Sequence, residues 1–214
     1  MKKILLLALA ALLAFTVHAQ NAKYISFMKQ NIALLDSVKS ADDLQNAANN
    51  FERIANAEKE EWLPNYYAAY ALAMKAYFVK DLKEVDPACD KADALLTNAE
   101  ILSQKNVEIA ALKSMILTAR MRVDGSRGMT MGPKASKILQ DAIKQSPENN
   151  PRVLLQMAQM IYYTPPAFGG GKDAGVEILK KSVAAYDSFK PATDIDPNWG
   201  KGYAVGLLQQ WTSK

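Results

Sequence analysis

Apolar residues recur every three or four positions along almost the entire chain, which is the spacing of amphipathic helices. No stretch shows the strict alternation of apolar and polar residues that is typical of strands. Proline, glycine, asparagine and aspartate lie between the periodic segments, where helices stop or are capped. The pattern predicts an all-α chain with helices over 23–38, 42–59, 64–80, 87–103, 106–122, 132–146, 150–163, 173–187 and 197–211.

The third predicted helix is apolar on two faces. One stripe contains Tyr67, Ala71, Met74 and Phe78, and the other contains Tyr66, Tyr70 and Tyr77. A helix of this kind is covered by neighbours on both sides. We therefore expect it to lie inside the fold.

A short pattern of small and large residues is repeated three times. Residues 92–99 read Ala-x-x-Leu-Leu-x-x-Ala, and equivalent patterns occupy 135–142 and 175–182, at steps of 43 and 40 residues. The small residues let a neighbouring helix approach closely, while the large pair fills the space between helices. Repetition with this period predicts stacked pairs of helices.

The repeat resembles the tetratricopeptide (TPR) repeat, in which two-helix units carry small residues at fixed places and proline at the junctions. Asp196-Pro197-Asn198-Trp199 is similar to the start of such a unit, and residues 51–64 and 164–172 resemble exported TPR-like proteins of Gram-negative bacteria. The resemblance implies a right-handed α-solenoid of about four antiparallel helix pairs with a C-terminal capping helix. It also implies a scaffold that binds proteins or peptides, and it assigns no catalytic residue.

The N-terminus has the three-part pattern of a secretory signal peptide. Lys2 and Lys3 precede an uncharged run over 4–15, and Val17 and Ala19 place small residues before a cleavage site. The run is shorter than the roughly 20 residues that span a membrane. We predict a signal peptide over 1–19 and one TPR-like domain over 20–214, without a membrane span, in the periplasm or secreted.

The predicted cleavage also limits the chemistry of the mature chain. His18 is the only histidine, so its removal excludes histidine-dependent nucleophiles and histidine zinc sites. The net charge falls from +4 to about +2 when two lysines are lost, and a charge so small and so dispersed does not indicate a nucleic-acid binder. Cys89 is interpreted as a packing residue. We predict no enzyme activity, no metal and no cofactor.

Two loops invite ligand-binding interpretations, and in both the sequence favours a structural one. Gly169-Gly170-Gly171-Lys172 could hold an anion at a helix start, but it lacks the spacing of a phosphate-binding loop and suits a tight turn. The segment 194–200 has oxygen-bearing residues at alternate positions, but it lacks the glycine and glutamate of a calcium loop. It predicts instead that Asp196 caps a helix with Pro197 at its first position.

Basic and aromatic side chains supply the candidate contacts. Arg120, Arg122 and Arg127 cluster near a helix end, where they could hold carboxylates of a partner or complement the helix dipole, and Asp124 could pair with Arg120. The aromatic residues Tyr66, Tyr67, Tyr70, Tyr162, Tyr163 and Trp199 fit a core better than a binding cage. The candidate partner contacts are Tyr66, Tyr70, Arg120 and Lys172.

Three functions are compatible with these observations. The favoured hypothesis is a noncatalytic scaffold or adaptor that binds another exported or envelope protein or peptide. The alternative is a small-ligand carrier or an accessory subunit of an envelope transporter, which requires a closed apolar pocket lined by those tyrosines. An enzyme that uses only carboxylates is the third, although the acidic residues resemble caps and solvated helix faces.

Overall fold

The computed structural model describes residues 22–146 and 150–213. The signal peptide predicted over 1–19 lies outside the described residues. The α-helices are α1 22–35, α2 Ala41–Ala57, α3 Trp62–Phe78, α4 Val85–Leu102, α5 Val107–Arg120, α6 Gly128–Gln145, α7 Pro151–Tyr163, α8 Lys172–Ser188 and α9 Lys201–Thr212. Short 3-10 helices cover Leu82–Glu84, Gly125–Arg127 and Pro166–Phe168. These residues contain no strand, so the prediction of an all-α fold is confirmed.

Side-chain caps explain where several helices begin. The Ser40 hydroxyl accepts a hydrogen bond from the Asp43 amide at the start of α2, and the Asn106 side chain does the same for Glu108 in α5. Asn150 caps α7 and precedes Pro151, the first residue of that helix. Each cap satisfies a backbone N–H that has no partner inside the helix.

Two predicted helix starts are wrong. Helix α6 begins at Gly128 rather than at 132, with Pro133 inside it near its N-terminal end. Helix α9 begins at Lys201, so Asp196 is not its cap. The Asp196 carboxylate instead accepts hydrogen bonds from the amide and hydroxyl of Thr193, and the backbone reaches α9 through Gly200 in a left-handed conformation.

The helices pack in adjacent pairs along the chain, from α2 against α3 to α8 against α9. Contacts of α5 with α3 and α7 place these three helices side by side in one layer. Each helix therefore contacts its neighbours in the stack, as in a helical solenoid. This confirms the solenoid-like architecture. No helix in the described parts of the chain is long and apolar enough to cross a membrane.

The repeated small and large residues lie buried where neighbouring helices pack against each other. Ala92, Leu96 and Ala99 of α4 are fully buried, as are Ala135 and Leu139 of α6. In α8 the repeat supplies Gly175, which lies directly against Tyr162 of α7 and leaves no room for a Cβ atom. The predicted packing role of these positions is confirmed.

The segment before α9 inserts Trp199 between helices. Its ring stacks on Tyr70 with the ring centres 4.5 Å apart, and its Nε1 donates a hydrogen bond to the Tyr66 hydroxyl at 2.9 Å. The Tyr186 hydroxyl donates to the Trp199 carbonyl at 3.1 Å. Trp199 thus ties the C-terminal segment to α3 through its side chain and to α8 through its backbone carbonyl.

Candidate functional site

A cleft lies where the C-terminal ends of α5 and α7 meet the N-terminal end of α6. Helix α3 contributes Tyr77 to one wall, and the 3-10 helix Pro166–Phe168 contributes Phe168 to the rim. The segments that line it are spread from residue 77 to residue 168 of the sequence. The cleft therefore exists only because the helices stack.

The cleft has a volume of about 970 Å³ and a mainly apolar lining. Its apolar side chains are Met121, Met129, Pro133, Met160, Ile161, Tyr163, Pro165 and Phe168. Met129, Phe168 and Tyr163 are 85%, 81% and 72% exposed, so the cleft opens to solvent along this edge. It is therefore not the closed pocket expected for a carrier, and of the tyrosines expected to line that pocket only Tyr163 is found in the described lining. A concave, apolar space of this size is typical of small-molecule sites.

Glycines leave parts of the cleft wall without side chains. A Cβ atom added at Gly125 or Gly132 would meet no other atom within 4 Å. Both glycines line the cleft, so the backbone at these points faces open space. A broad, flat molecule can approach such a wall more closely than a wall of branched side chains.

A few polar groups converge on the apolar lining. The Tyr77 hydroxyl lies 2.8 Å from the Thr118 hydroxyl and donates to the Met115 carbonyl at 3.2 Å. Burial raises the pKa of the Tyr77 hydroxyl to about 12. Gln159, which also lines the cleft, accepts a hydrogen bond from the Tyr203 hydroxyl of α9 at 3.0 Å.

The loop between α7 and α8 closes one end of the cleft and has its own internal hydrogen bonds. The amides of Gly169, Gly170 and Gly171 donate to the carbonyls of Pro166, Pro165 and Ile161. Gly169 and Gly171 have φ angles of +81° and +140°, which favour glycine. These contacts agree with the turn interpretation of the glycine run.

The three clustered arginines have different environments. Arg120 bonds Asp90 and Asp93 at 2.7 Å, and Arg127 bonds Asp86 at 2.7 and 2.9 Å. The expected pairing of Arg120 with Asp124 is wrong, because Asp124 caps the 3-10 helix through the Ser126 amide. Arg122 lines the cleft and lies over the Tyr77 ring, 5.5 Å from its centre.

The four candidate contacts from the sequence lie elsewhere. Tyr66 is fully buried and Tyr70 is only 9% exposed, both against Trp199. Arg120 is held by carboxylates, and Lys172 lies at the start of α8 with its Nζ 6.0 Å from the Tyr162 ring centre. None of these four residues lines the described part of the cleft. Their role in partner binding stays a prediction.

Cys89 and the acidic side chains form no metal site in the described residues. Cys89 is fully buried and unpaired, and burial raises the pKa of its thiol to about 11, so the packing interpretation holds. The described residues contain no group of three or more histidine, cysteine, aspartate or glutamate side chains placed to hold a metal ion.

A second cavity of about 660 Å³ lies between α6, α7 and α8. It is bordered by Ile143, Leu154, Met157 and Ile178, with Lys181 and Ser188 at its edge. Polar and apolar surfaces contribute about equally to it. The cleft is larger and more apolar, and it is therefore the stronger candidate for a ligand site.

Fold and site together define a helical, solenoid-like protein with a solvent-accessible apolar cleft. Its structure is similar to the HusA haemophore from Porphyromonas gingivalis, with a TM-score of 0.80 and 35% sequence identity. The match covers 88% of this chain and 92% of that chain. The chain therefore belongs to the family of that haemophore.

No protein-family model matches the chain, and no curated protein sequence matches it either. The resemblance to TPR repeats accordingly stays a prediction, whereas the helical stack itself is observed. Among the functions considered from the sequence, the relationship to a haemophore supports the small-ligand carrier better than the protein-binding scaffold.

Proposed function

We propose that the protein is a noncatalytic carrier that binds a haem-type tetrapyrrole in the cleft between α5, α6 and α7. The observation that carries this proposal is the coincidence of a large apolar cleft with membership of a haemophore family. The cleft volume of about 970 Å³ is at the upper end of the range for small-molecule sites. A tetrapyrrole is a large, flat ligand, and a cleft of this volume can accommodate it.

The lining supplies the contacts that a tetrapyrrole needs. Most of its binding energy would come from apolar surface removed from water, which contributes roughly 25 cal/mol for each Å². Phe168 and Tyr163 offer aromatic rings, and Met129 and Met160 offer thioethers that adapt to flat ring systems. Tyrosine and methionine are also side chains that bind haem iron in other proteins.

The direct test is a titration of the chain 20–214 with haem, followed by the haem absorption band and by tryptophan fluorescence. Trp211 is a built-in reporter, because its ring centre lies 6.1 Å from that of Tyr163 at the cleft. We expect saturable binding with a Kd of about 1 µM or below. Absence of saturable binding would refute the carrier proposal.

The same titration separates the carrier from the protein scaffold. A scaffold would leave the haem spectrum unchanged and would instead retain a protein when used as bait on an envelope extract. The stacked helices are compatible with that second function, because solenoids offer extended surfaces. The apolar cleft favours the carrier.

Export is part of the proposal, since a carrier of external ligands must leave the cytoplasm. The signal-peptide pattern over 1–19 and the haemophore relationship support it. Intact-mass measurement of the protein from a Gram-negative host is expected to show a chain that begins at Gln20. A full-length chain retained in the cytoplasm would contradict export.

A further inference from the structure

Arg122 differs from the two arginines beside it because it has no carboxylate partner in the described residues. Arg120 and Arg127 are each held by aspartates of α4. Arg122 instead donates from Nη1 to the Ala76 carbonyl at the end of α3 and lies over the Tyr77 ring. A cation is thus fixed in place, while its charge is not neutralised by the protein.

This guanidinium is also the one charged group among the described side chains of the cleft lining. The rest of the lining consists of apolar side chains, glycines and neutral polar groups. The side chain is exposed to solvent, so its other N–H groups are accessible from the cleft. A fixed guanidinium fork at the edge of an apolar surface matches a carboxylate on an apolar molecule.

We infer that Arg122 binds a carboxylate of the ligand and so orients the ligand in the cleft. The inference rests on the proposed function and adds the chemical class of the ligand, which is a flat apolar body with at least one carboxylate. The carboxylate edge lies at Arg122. The opposite edge lies towards the exposed rim formed by Met129 and Phe168.

The position of Arg122 on the wall of an apolar cleft strengthens an ion pair with the ligand. A hydrogen-bonded ion pair at a partly exposed site contributes more than a solvated surface pair, because the apolar surroundings exclude part of the water. The Arg122 guanidinium also makes a cation–π contact with the Tyr77 ring. The arginine therefore loses little freedom when the carboxylate arrives.

The test compares protoporphyrin IX with its dimethyl ester, in which both carboxylates are blocked. Each is titrated into the wild-type chain, Arg122→Gln and Arg122→Lys, with fluorescence as the readout. Wild type is expected to prefer the diacid. Arg122→Gln is expected to lose roughly tenfold in affinity for the diacid and little for the ester. The affinity of Arg122→Lys for the diacid is expected to lie between those of wild type and Arg122→Gln, since lysine keeps the charge but lacks the planar guanidinium.

Lys134→Gln is the matched control, because it removes the same charge from α6 at a side chain outside the cleft lining. It is expected to bind both porphyrins like wild type. Thermal melts check that Arg122→Gln stays folded, and the ratio of diacid to ester affinity reports a role that a purely structural residue would not have.

The outcomes are distinct. An unchanged affinity of Arg122→Gln for both porphyrins would overturn the role of Arg122 and leave the carrier proposal standing. An equal loss for both porphyrins would also overturn it, because the effect would then be structural. Binding of neither porphyrin to wild type would overturn the carrier proposal itself.

Discussion

Arg152 and Glu108 form a bidentate ion pair in the interior of the protein. The Arg152 Nε donates to Glu108 Oε2 at 2.5 Å, and its Nη2 donates to Oε1 at 2.6 Å. The Arg152 side chain is fully buried, with its guanidinium carbon 4.4 Å from the centre of the Phe189 ring. The pair joins α5 to α7, the two helices whose ends form the cleft.

Burial disfavours the charge of Arg152, but hydrogen bonding to Glu108 and the charge of that carboxylate outweigh burial and raise the pKa of Arg152. Asn150 completes the cluster by donating to Glu108 Oε1. The pair is therefore satisfied, and loss of either partner leaves a buried charge.

Glu108→Gln is expected to destabilise the protein by about 3–5 kcal/mol, because Arg152 would keep its charge in the interior without a counter-ion. Urea unfolding measures the change. Glu100→Gln is the control, since it removes a carboxylate from the half-exposed pair with Lys113 and is expected to cost less than about 1 kcal/mol. Equal losses in the two variants would contradict the importance of the buried pair.

The ion pair between Asp86 and Arg127 is expected to make the stability of the protein depend on pH. Hydrogen bonds from Arg127 hold the pKa of Asp86 below 3.8, its unfolded value. The unfolded chain therefore binds the proton more tightly, and the stabilisation present above pH 3.8 is lost as the pH falls through the lower folded pKa. Asp86→Asn is expected to melt below wild type at neutral pH.

That difference in melting temperature should shrink as the pH falls below about 3.8. Thermal melts of both proteins across the acid range measure it. Asp42→Asn, on the surface of α2, provides the control. A difference that stays constant from neutral pH to the acid limit would show that the charge of Asp86 is not the cause.

Gly200 marks a place where only glycine fits. Its φ is +103°, and a Cβ atom would collide with the Tyr186 hydroxyl that bonds the Trp199 carbonyl. Gly200→Ala is expected to cost about 1–3 kcal/mol. Gly202→Ala, inside α9 with free space around it, is expected to stabilise by roughly 0.5–1 kcal/mol. Calorimetry that ranks the two variants in the reverse order would refute this.

Substitutions at the rim of the cleft are expected to weaken ligand binding without lowering the stability of the protein. Phe168 and Met129 are largely exposed, so Phe168→Ala and Met129→Ala are expected to change the free energy of unfolding by less than about 0.5 kcal/mol. Each is expected to weaken haem binding several-fold, because apolar contact area is lost. Phe27→Ala removes a half-exposed ring from α1 and serves as control. Equal affinities in all three variants would place the ligand elsewhere.

Apolar periodicity was sufficient to predict the all-helical stack, and side-chain caps that the sequence displays mark the starts of α2, α5 and α7. The two wrong starts have physical reasons. Near the start of α6 the helix continues through Pro133, and before α9 the Asp196 side chain bonds Thr193 instead of capping the helix. Before α9, hydrogen bonds to Thr193, three residues earlier in the chain, thus take the place of the predicted cap.

The cleft could not be predicted in the same way. Its lining comes from the ends of separate helices, and residues such as Met129 and Phe168 carry no motif that distinguishes them from loop residues. The arginine cluster was visible in the sequence, but which member lacks a carboxylate depends on how α4 packs against α5. Tyr66 and Tyr70 were named as candidate contacts although the sequence favoured a core role for them, and in the structure Trp199 packs against both.

The most direct test of the cleft as the ligand site is a two-dimensional NMR titration of the 15N-labelled chain 20–214 with protoporphyrin IX. We predict that the amide signals that shift belong to the cleft, including Thr118, Gly125, Gly132 and Phe168. Signals around the second cavity, such as Leu154 and Ala184, should stay in place. Shifts confined to the second cavity, or no shifts at saturating porphyrin, would contradict the account.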